Sequence, residues 1–543
     1  MNKNKKQILY ILSIAFVVIY RYFWSSISQW REDQSTNIWL ALTETLSTTP
    51  VGLLSSKDIP VPNGMVIFGK FFNLIDNLLI ATILFSLIQI LCFFLLVNQL
   101  QIGEYKKLSL LLLLSFSTVL SSSSVEFWNQ FIFIIFNSLF FYFYLLFLKS
   151  RETFYLFVML IISTLPASVY LAGILNTLIL GIIVIYEFVS TKDKKTANKS
   201  IQKYTLLSIF TLLYSYFVWI QYFRNVRLKD ILSFTDLTLY DRINILSDQF
   251  LQIPGLFLTA WSKQQSFFIL QIDRDIVSNI SFNLFKVYVE LHKVITVFFL
   301  LSLILILLNK KSKEIKFEPL LTRFIFSILF FIFASSLISP VLGGPNFVSF
   351  ERMDNYIQYY PFYIILWFLI IDKASDFNIR NLKIKRINGL IFIISILISF
   401  SLSFSVIFDN LNYSGGKLTE SDVPLVEKMK VTKYIAGDME KKEISKAKIS
   451  YQLGGGIWDW IPEHSKIYEN WYPQYPYTIG RVYDYILYTQ YSISNVYEGQ
   501  NIRDFDDSDY VVSYVFNSPD LDNEKNYKEV IFNRLRVSIR DNK

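Results

Sequence analysis

At the outer mouths of this chain's apolar runs, acidic residues stand at four places: Trp30-Arg31-Glu32-Asp33-Gln34, Ser121-Ser-Ser-Ser-Val-Glu126, Glu290-Leu-His292-Lys293 and Phe350-Glu351-Arg352-Met-Asp354. A carboxylate can take the proton of a hydroxyl while that hydroxyl attacks. Two carboxylates side by side can hold Mg²⁺ or Mn²⁺ through oxygen, which makes Asp33 and Glu126 candidate metal ligands. A cation suits a departing phosphate, whose charge grows as it leaves. Arg352, Lys57, Lys70, Arg274 and His292 are the candidates for that binding role. A zinc centre is not indicated, because His292 and His464 are far apart in sequence and Cys92 stands alone.

Each of these residues also has a plainer reading. Glu32 and Asp33 read equally as a solvated loop pair. Glu126 reads as a helix-end residue after a serine run. Arg352 reads as a loop cation paired with Glu351 or Asp354.

The elements that must carry these residues are membrane helices. The 543-residue chain is 53% hydrophobic and only 18% charged, with 50 Phe and 34 Tyr. Its mean hydropathy is +0.38. This excludes a disordered chain, a fibrous repeat and a disulfide scaffold. Runs of about 20 apolar residues number about eleven. They lie near 8–24, 74–98, 108–123, 131–148, 153–165, 167–189, 204–223, 288–309, 319–340, 355–372 and 387–407. Pro166 is taken as the break between the fifth and sixth.

Lysine and arginine set the orientation. With the N-terminus in the cytoplasm, the inner loops carry Lys106 and Lys107, Lys149 and Arg151, the lysines of 192–203, those of 310–316, and Lys373 to Arg386. Outside 224–287 and the tail, the outer loops carry only Arg31, Lys57, Lys70 and Arg352. The net charge of +8 therefore reflects loops on one membrane face, and nucleic acid is not an expected partner. The first span ends in Arg21-Tyr-Phe-Trp24 without a small-residue cleavage site, and is read as a retained anchor.

This division predicts a transmembrane domain over 1–407, with large outer loops at 25–73 and 224–287, and an extracytoplasmic α/β domain over 408–543. In the tail, 423–442 reads as helix, and 509–516 and 529–532 read as strands. The span middles are nearly free of charge, whereas a proton or ion path would need carboxylates at depth.

An acidic motif after the first span, then Ser35 to Thr43 as an interfacial helix, then the Pro-containing segment Ile59-Pro-Val-Pro-Asn-Gly64 and a second span, resembles the class C (GT-C) glycosyltransferases. These include protein O-mannosyltransferases and the lipid A aminoarabinose transferase. The resemblance implies a polytopic helical fold and a sugar donor carried on a polyprenyl phosphate. It implies an extracytoplasmic site with an essential acidic residue in the first outer loop. The acceptor would be a lipid, glycan or protein. The frequent Lys, Asn, Ile and Phe suggest an AT-rich genome, and with it a bacterial plasma membrane as the location.

The common motif is Asp-Glu, whereas this chain reads Glu32-Asp33-Gln34, so Asp33 aligns with the catalytic aspartate and Glu32 remains the alternative. Family members often carry a second acidic residue where Glu126 stands, and an Arg where Arg352 stands. Two rival readings are a transporter or lipid flippase, and an O-antigen ligase or polymerase. The first is weakened by the uncharged span middles and absent repeats, the second by the lack of His in 224–287.

Overall fold

The computed structural model describes residues 3–30, 32–43, 62–127, 129–170, 173–190, 278–308, 318–343, 357–374, 384–412, 423–453, 481–496, 508–515 and 527–540, with isolated positions between 209 and 244. Its helices are α1 (Lys3–Ser26), α2 (Glu32–Thr43), α3 (Gly64–Gly69), α4 (Leu78–Gln99), α5 (Glu104–Phe116), α6 (Thr118–Ser124), α7 (Asn129–Ser150), α8 (Thr153–Val169), α9 (Gly173–Ser190), α10 (Asn279–Leu308), α11 (Pro319–Gly343), α12 (Tyr360–Ala374) and α13 (Ile384–Asn412). After them come α14 (Leu425–Lys441), β1 (Lys446–Ala447), β2 (Ile449–Gln452), α15 (Arg481–Tyr491), β3 (Ser494–Asn495), β4 (Tyr510–Tyr514), β5 (Tyr527–Ile531) and β6 (Leu535–Arg540).

Among the described residues, five helices are long and apolar enough to cross a membrane, or six if the bent pair α5–α6 is one span. Shorter apolar helices cover Ile11–Ser26, Thr153–Val169 and Pro319–Ser335. The expected span at 204–223 lies outside the described residues. The chain is a polytopic helical membrane protein by these helices, while the full count of eleven is not reached among the described residues.

Local chemistry sets the helix ends. Asn77 opens α4 by accepting the N–H groups of Leu79 and Ile80 at 3.0 and 3.2 Å. At Ser117 the chain bends by 60° between α5 and α6. Arg21 of α1 fills this bend, donating to the carbonyls of Ser115 and Leu120 and to Ser124 Oγ. The guanidinium shares these carbonyls with the Ser121 and Ser123 hydroxyls, which also donate to Ser115 and Leu120 at the broken helix.

Two span boundaries differ from the sequence reading. Pro166 does not break the chain. It sits inside the last turn of α8, which runs on to Val169 and ends at the extended Tyr170, and α9 begins at Gly173. Helix α10 starts at Asn279, because Ser278 Oγ accepts the Ser281 N–H at 3.2 Å and caps it. Glu290, His292 and Lys293 therefore lie near the middle of a 30-residue helix, not at its mouth.

The C-terminal residues form a mixed sheet of order β2-β4-β6-β5, with β2 parallel to β4 and the other pairs antiparallel. Helix α14 contacts α1, and α15 lies on α2. Arg534 joins this unit to the membrane helices. It is fully buried, donates to the Asn410 carbonyl at the end of α13, and meets Glu427 through its backbone N–H and its guanidinium. Burial pushes the Glu427 carboxyl upward, against the bonds and charge of Arg534.

Candidate active site

The first acidic motif follows a tightly held turn. Helix α1 ends at Ser26, and the Ile27 and Ser28 N–H groups close its last turn onto the Trp24 and Ser25 carbonyls. Trp30 then adopts φ 44°, in the left-handed region. For a bulky side chain this costs about 1–2 kcal/mol and persists only where the surroundings enforce it. Here they do. The indole is fully buried, meets the Phe72 ring edge-on at 5.1 Å, and donates to Thr82 Oγ1 at 3.1 Å. Lys428 of α14, itself fully buried, donates to the Gln29 carbonyl at 2.6 Å and the Trp30 carbonyl at 3.3 Å. Ser35 Oγ donates to the same Trp30 carbonyl at 3.0 Å.

The turn delivers Glu32 and Asp33 into the first turn of α2. The positive end of a helix dipole favours carboxylates there. The side chains of both residues, and all of Arg31, lie outside the described residues. Their neighbours are described. Gln34 is buried and donates from Nε2 to Glu126 Oε2 at 3.3 Å. Glu126 is only 3% exposed. Ser28 Oγ donates to the Val125 carbonyl at 2.8 Å, tying the serine-rich segment to the end of α1. The structure thus brings Glu126 next to the residue that follows Asp33. Gln34 Oε1 and both polar atoms of the Asn37 side chain are buried with no partner among the described residues. Buried amides are normally bonded, so this inner face of α2 is suited to accept polar groups of a substrate.

The other candidates fall elsewhere. Lys70 donates to the Ala41 carbonyl at 2.8 Å and so caps the C-terminal end of α2. Lys57, Arg274 and Arg352 lie outside the described residues. His292, expected at an outer mouth, faces the bundle interior between α10 and α12. Its Nδ1 is 2.9 Å from the Tyr288 carbonyl, so Nδ1 carries the hydrogen. Nε2 then accepts from the Tyr360 hydroxyl at 2.8 Å, and Tyr360 accepts in turn from Tyr288 at 2.8 Å. Ser117, Ser395 and Ser399 join these groups around a cavity of about 30 Å³, room for about two waters. The aromatic run at 140–144 packs inside the bundle, with Phe141 against Phe324, Phe331 and Phe362.

Sequence reasoning missed Trp30 and Lys428. Lys428→Met should lower stability by about 1–3 kcal/mol, because two buried carbonyls lose a charge-assisted donor. Thermal unfolding of the purified full chain measures it. An unchanged midpoint would show that the turn holds itself.

Among the described residues no group of three or more His, Cys, Asp or Glu converges. Gln34 meets Glu126 through an amide N–H, which donates and does not ligate a metal, so what the described residues offer a cation here is the Glu126 carboxylate, a ligand type that suits Mg²⁺ or Mn²⁺.

No family model matches the sequence, and no curated protein matches it. Among solved structures, the chain is similar to the crystal structure of ArnT from Cupriavidus metallidurans in the apo state. The identity is 10% and the TM-score 0.46, over 99% of this chain and 98% of that one.

Proposed function

We propose that the chain is an integral membrane glycosyltransferase of class C type. It transfers a sugar from a polyprenyl-phosphate donor to a hydroxyl of an extracytoplasmic lipid, glycan or protein. The observation that carries this reading is the contact of buried Glu126 with Gln34, one residue beyond Asp33, on a helix face with unpartnered buried amides. The acidic motif after the first span and its resemblance to that class supply the chemistry.

Asp33 takes the proton of the acceptor hydroxyl while its oxygen attacks the anomeric carbon. The bond from that carbon to the donor phosphate breaks, and the phosphate leaves with the electron pair. Arg352 faces the departing phosphate, and Lys57 and Arg274 add positive charge on the same membrane face. Glu126, held by Gln34, orients the acceptor. Glu32 is the alternative base. Purified protein given synthetic polyprenyl-phosphate sugars together with a cell-envelope extract as acceptor should release free polyprenyl phosphate, measured by chromatography. No release with any donor of this class would remove the reading.

A divalent cation belongs to the proposal, with Asp33 and Glu126 as its ligands. When bound, it would neutralise charge on the donor phosphate. Transfer is expected to fall after chelation and to return with Mg²⁺ or Mn²⁺. Undiminished transfer in chelator would take the cation out of the account.

Residues 1–407 form the transmembrane domain in this proposal, with the N-terminus cytoplasmic in a bacterial plasma membrane. Residues 408–543 stand on the outer face. A reporter fused after residue 420 should be active only if it requires that outer side. Cytoplasmic reporter activity there would invert the topology.

A further inference from the structure

A second charged cluster lies at the far end of α7. This helix starts just after Glu126 and runs 22 residues to Ser150. That is roughly 33 Å at about 1.5 Å per residue, close to the thickness of a bilayer's hydrocarbon. Beyond it, Arg151 takes φ 58° and lays its guanidinium 5.3 Å from the Phe147 ring centre. Its Nη1 is 3.5 Å from Glu187 Oε2, near the end of α9. Arg323, in the first turns of α11, brings its own Nη1 to 3.6 Å from the same oxygen. The other oxygen, Oε1, accepts from the Tyr144 hydroxyl at 2.9 Å, and Ser327 donates to Tyr144.

Three features of this cluster point to a ligand. Glu187 is 1% exposed, while the two arginine side chains are 45% and 47% exposed, so the anion is inside and the cations form a rim. One carboxylate against two guanidinium groups leaves a surplus positive charge, and each arginine spends one nitrogen on Glu187. Exposed apolar side chains stand beside the rim on both helices and make its wall, Tyr186 and Phe188 on either side of Glu187 in α9 and Phe326 one turn after Arg323 in α11. Guanidinium groups just past the end of a lipid-facing apolar band sit at headgroup level. A free phosphate would need only the arginines, whereas a phospholipid uses the wall as well.

The geometry points to a binding site for an anionic phospholipid, with its phosphodiester held by Arg151 and Arg323 and its acyl chains lying along α9 and α11. Planar guanidinium groups suit phosphate oxygens, and the buried carboxylate fixes both in place. The site lies at the opposite end of α7 from Glu126 and does not depend on the proposed transfer chemistry.

Native mass spectrometry of the full chain in detergent tests it, with phosphatidylglycerol, phosphatidylcholine or sodium phosphate added separately. Wild type should retain phosphatidylglycerol in preference to phosphatidylcholine. Arg323→Gln should weaken that preference about fivefold, and the Arg151→Gln/Arg323→Gln double variant about 25-fold. The double Lys variant keeps the charge and should restore much of the binding, which reports on the site even if the Gln pair folds poorly. Equal retention of both lipids would overturn the proposal, as would a phosphatidylglycerol preference that survives Arg323→Gln. Phosphate that competes with lipid at millimolar concentration, without any lipid preference, would reassign the cluster as a simple anion site and also overturn it.

Discussion

Asp33→Asn should reduce sugar transfer by about 10²–10⁴-fold while the protein remains inserted and folded. The substitution keeps the size and hydrogen-bonding capacity of the side chain and removes its basicity and charge. Asp33 occupies the first turn of α2, where a carboxylate contributes about 0.3–1 kcal/mol to the helix, far less than the expected catalytic loss. The next residue, Gln34, is fixed by its bond to Glu126, so the backbone that carries position 33 stays in place in the variant. Glu32→Gln is the internal control and should be milder. Initial rates with a saturating donor separate the two. A Glu32 variant that fails while Asp33→Asn works would move the base by one residue.

Arg352→Ala should cost about 2–4 kcal/mol of transition-state stabilisation, roughly 30- to 1,000-fold in rate. A cation facing a leaving phosphate acts mostly as the bond breaks, so the loss should appear in kcat rather than in KM alone. Arg352→Lys should recover part of the rate, because the charge remains but the bidentate geometry does not. Arg352 lies outside the described residues, five positions before the described chain resumes at Ile357 with the short turn leading into α12. The loss in transfer should exceed any loss in stability, and wild-type turnover in the Ala variant would remove this arginine from the site.

The helices were legible where burial in lipid demands a long apolar run. α4, α7, α11 and α13 fall close to their expected limits. The tail helix near 423–442 and the strand near 509–516 also appear, as α14 and β4. What misled the reading was local chemistry at helix ends. The apolar window hides the Ser278 cap, which starts α10 nine residues before the expected limit and moves His292 from a mouth to mid-helix. Pro166 removes one N–H from the last turn of α8, yet the helix runs through it to Val169 and stops at the extended Tyr170.

The candidate site was partly legible. Glu126 drew attention as a lone charge in a short loop, and the acidic motif drew attention by its place after the first span. Neither pattern reveals that Glu126 is buried or that it meets Gln34. Lys428 was beyond reach, because a side chain bonding backbone carbonyls almost 400 residues away leaves no periodic trace. Arg21 looked like a flank of the first span, yet it is sealed within the bend between α5 and α6, a break that hydropathy cannot register. The buried Glu187 escaped notice for a similar reason. It sits at the edge of an apolar run, and only the assembled helices bring Arg151 and Arg323 to it.

The central claim is that this chain moves a sugar from a lipid phosphate by means of the carboxylate at the start of α2. Membranes containing the wild type or Asp33→Asn, incubated with a panel of radiolabelled polyprenyl-phosphate sugars, test it most directly. The account predicts that one donor passes its label to a membrane or envelope acceptor with the wild type, and that the transfer all but disappears with Asp33→Asn at equal protein levels. Label that stays on the polyprenyl phosphate with every donor, or that moves equally well with both proteins, would contradict it.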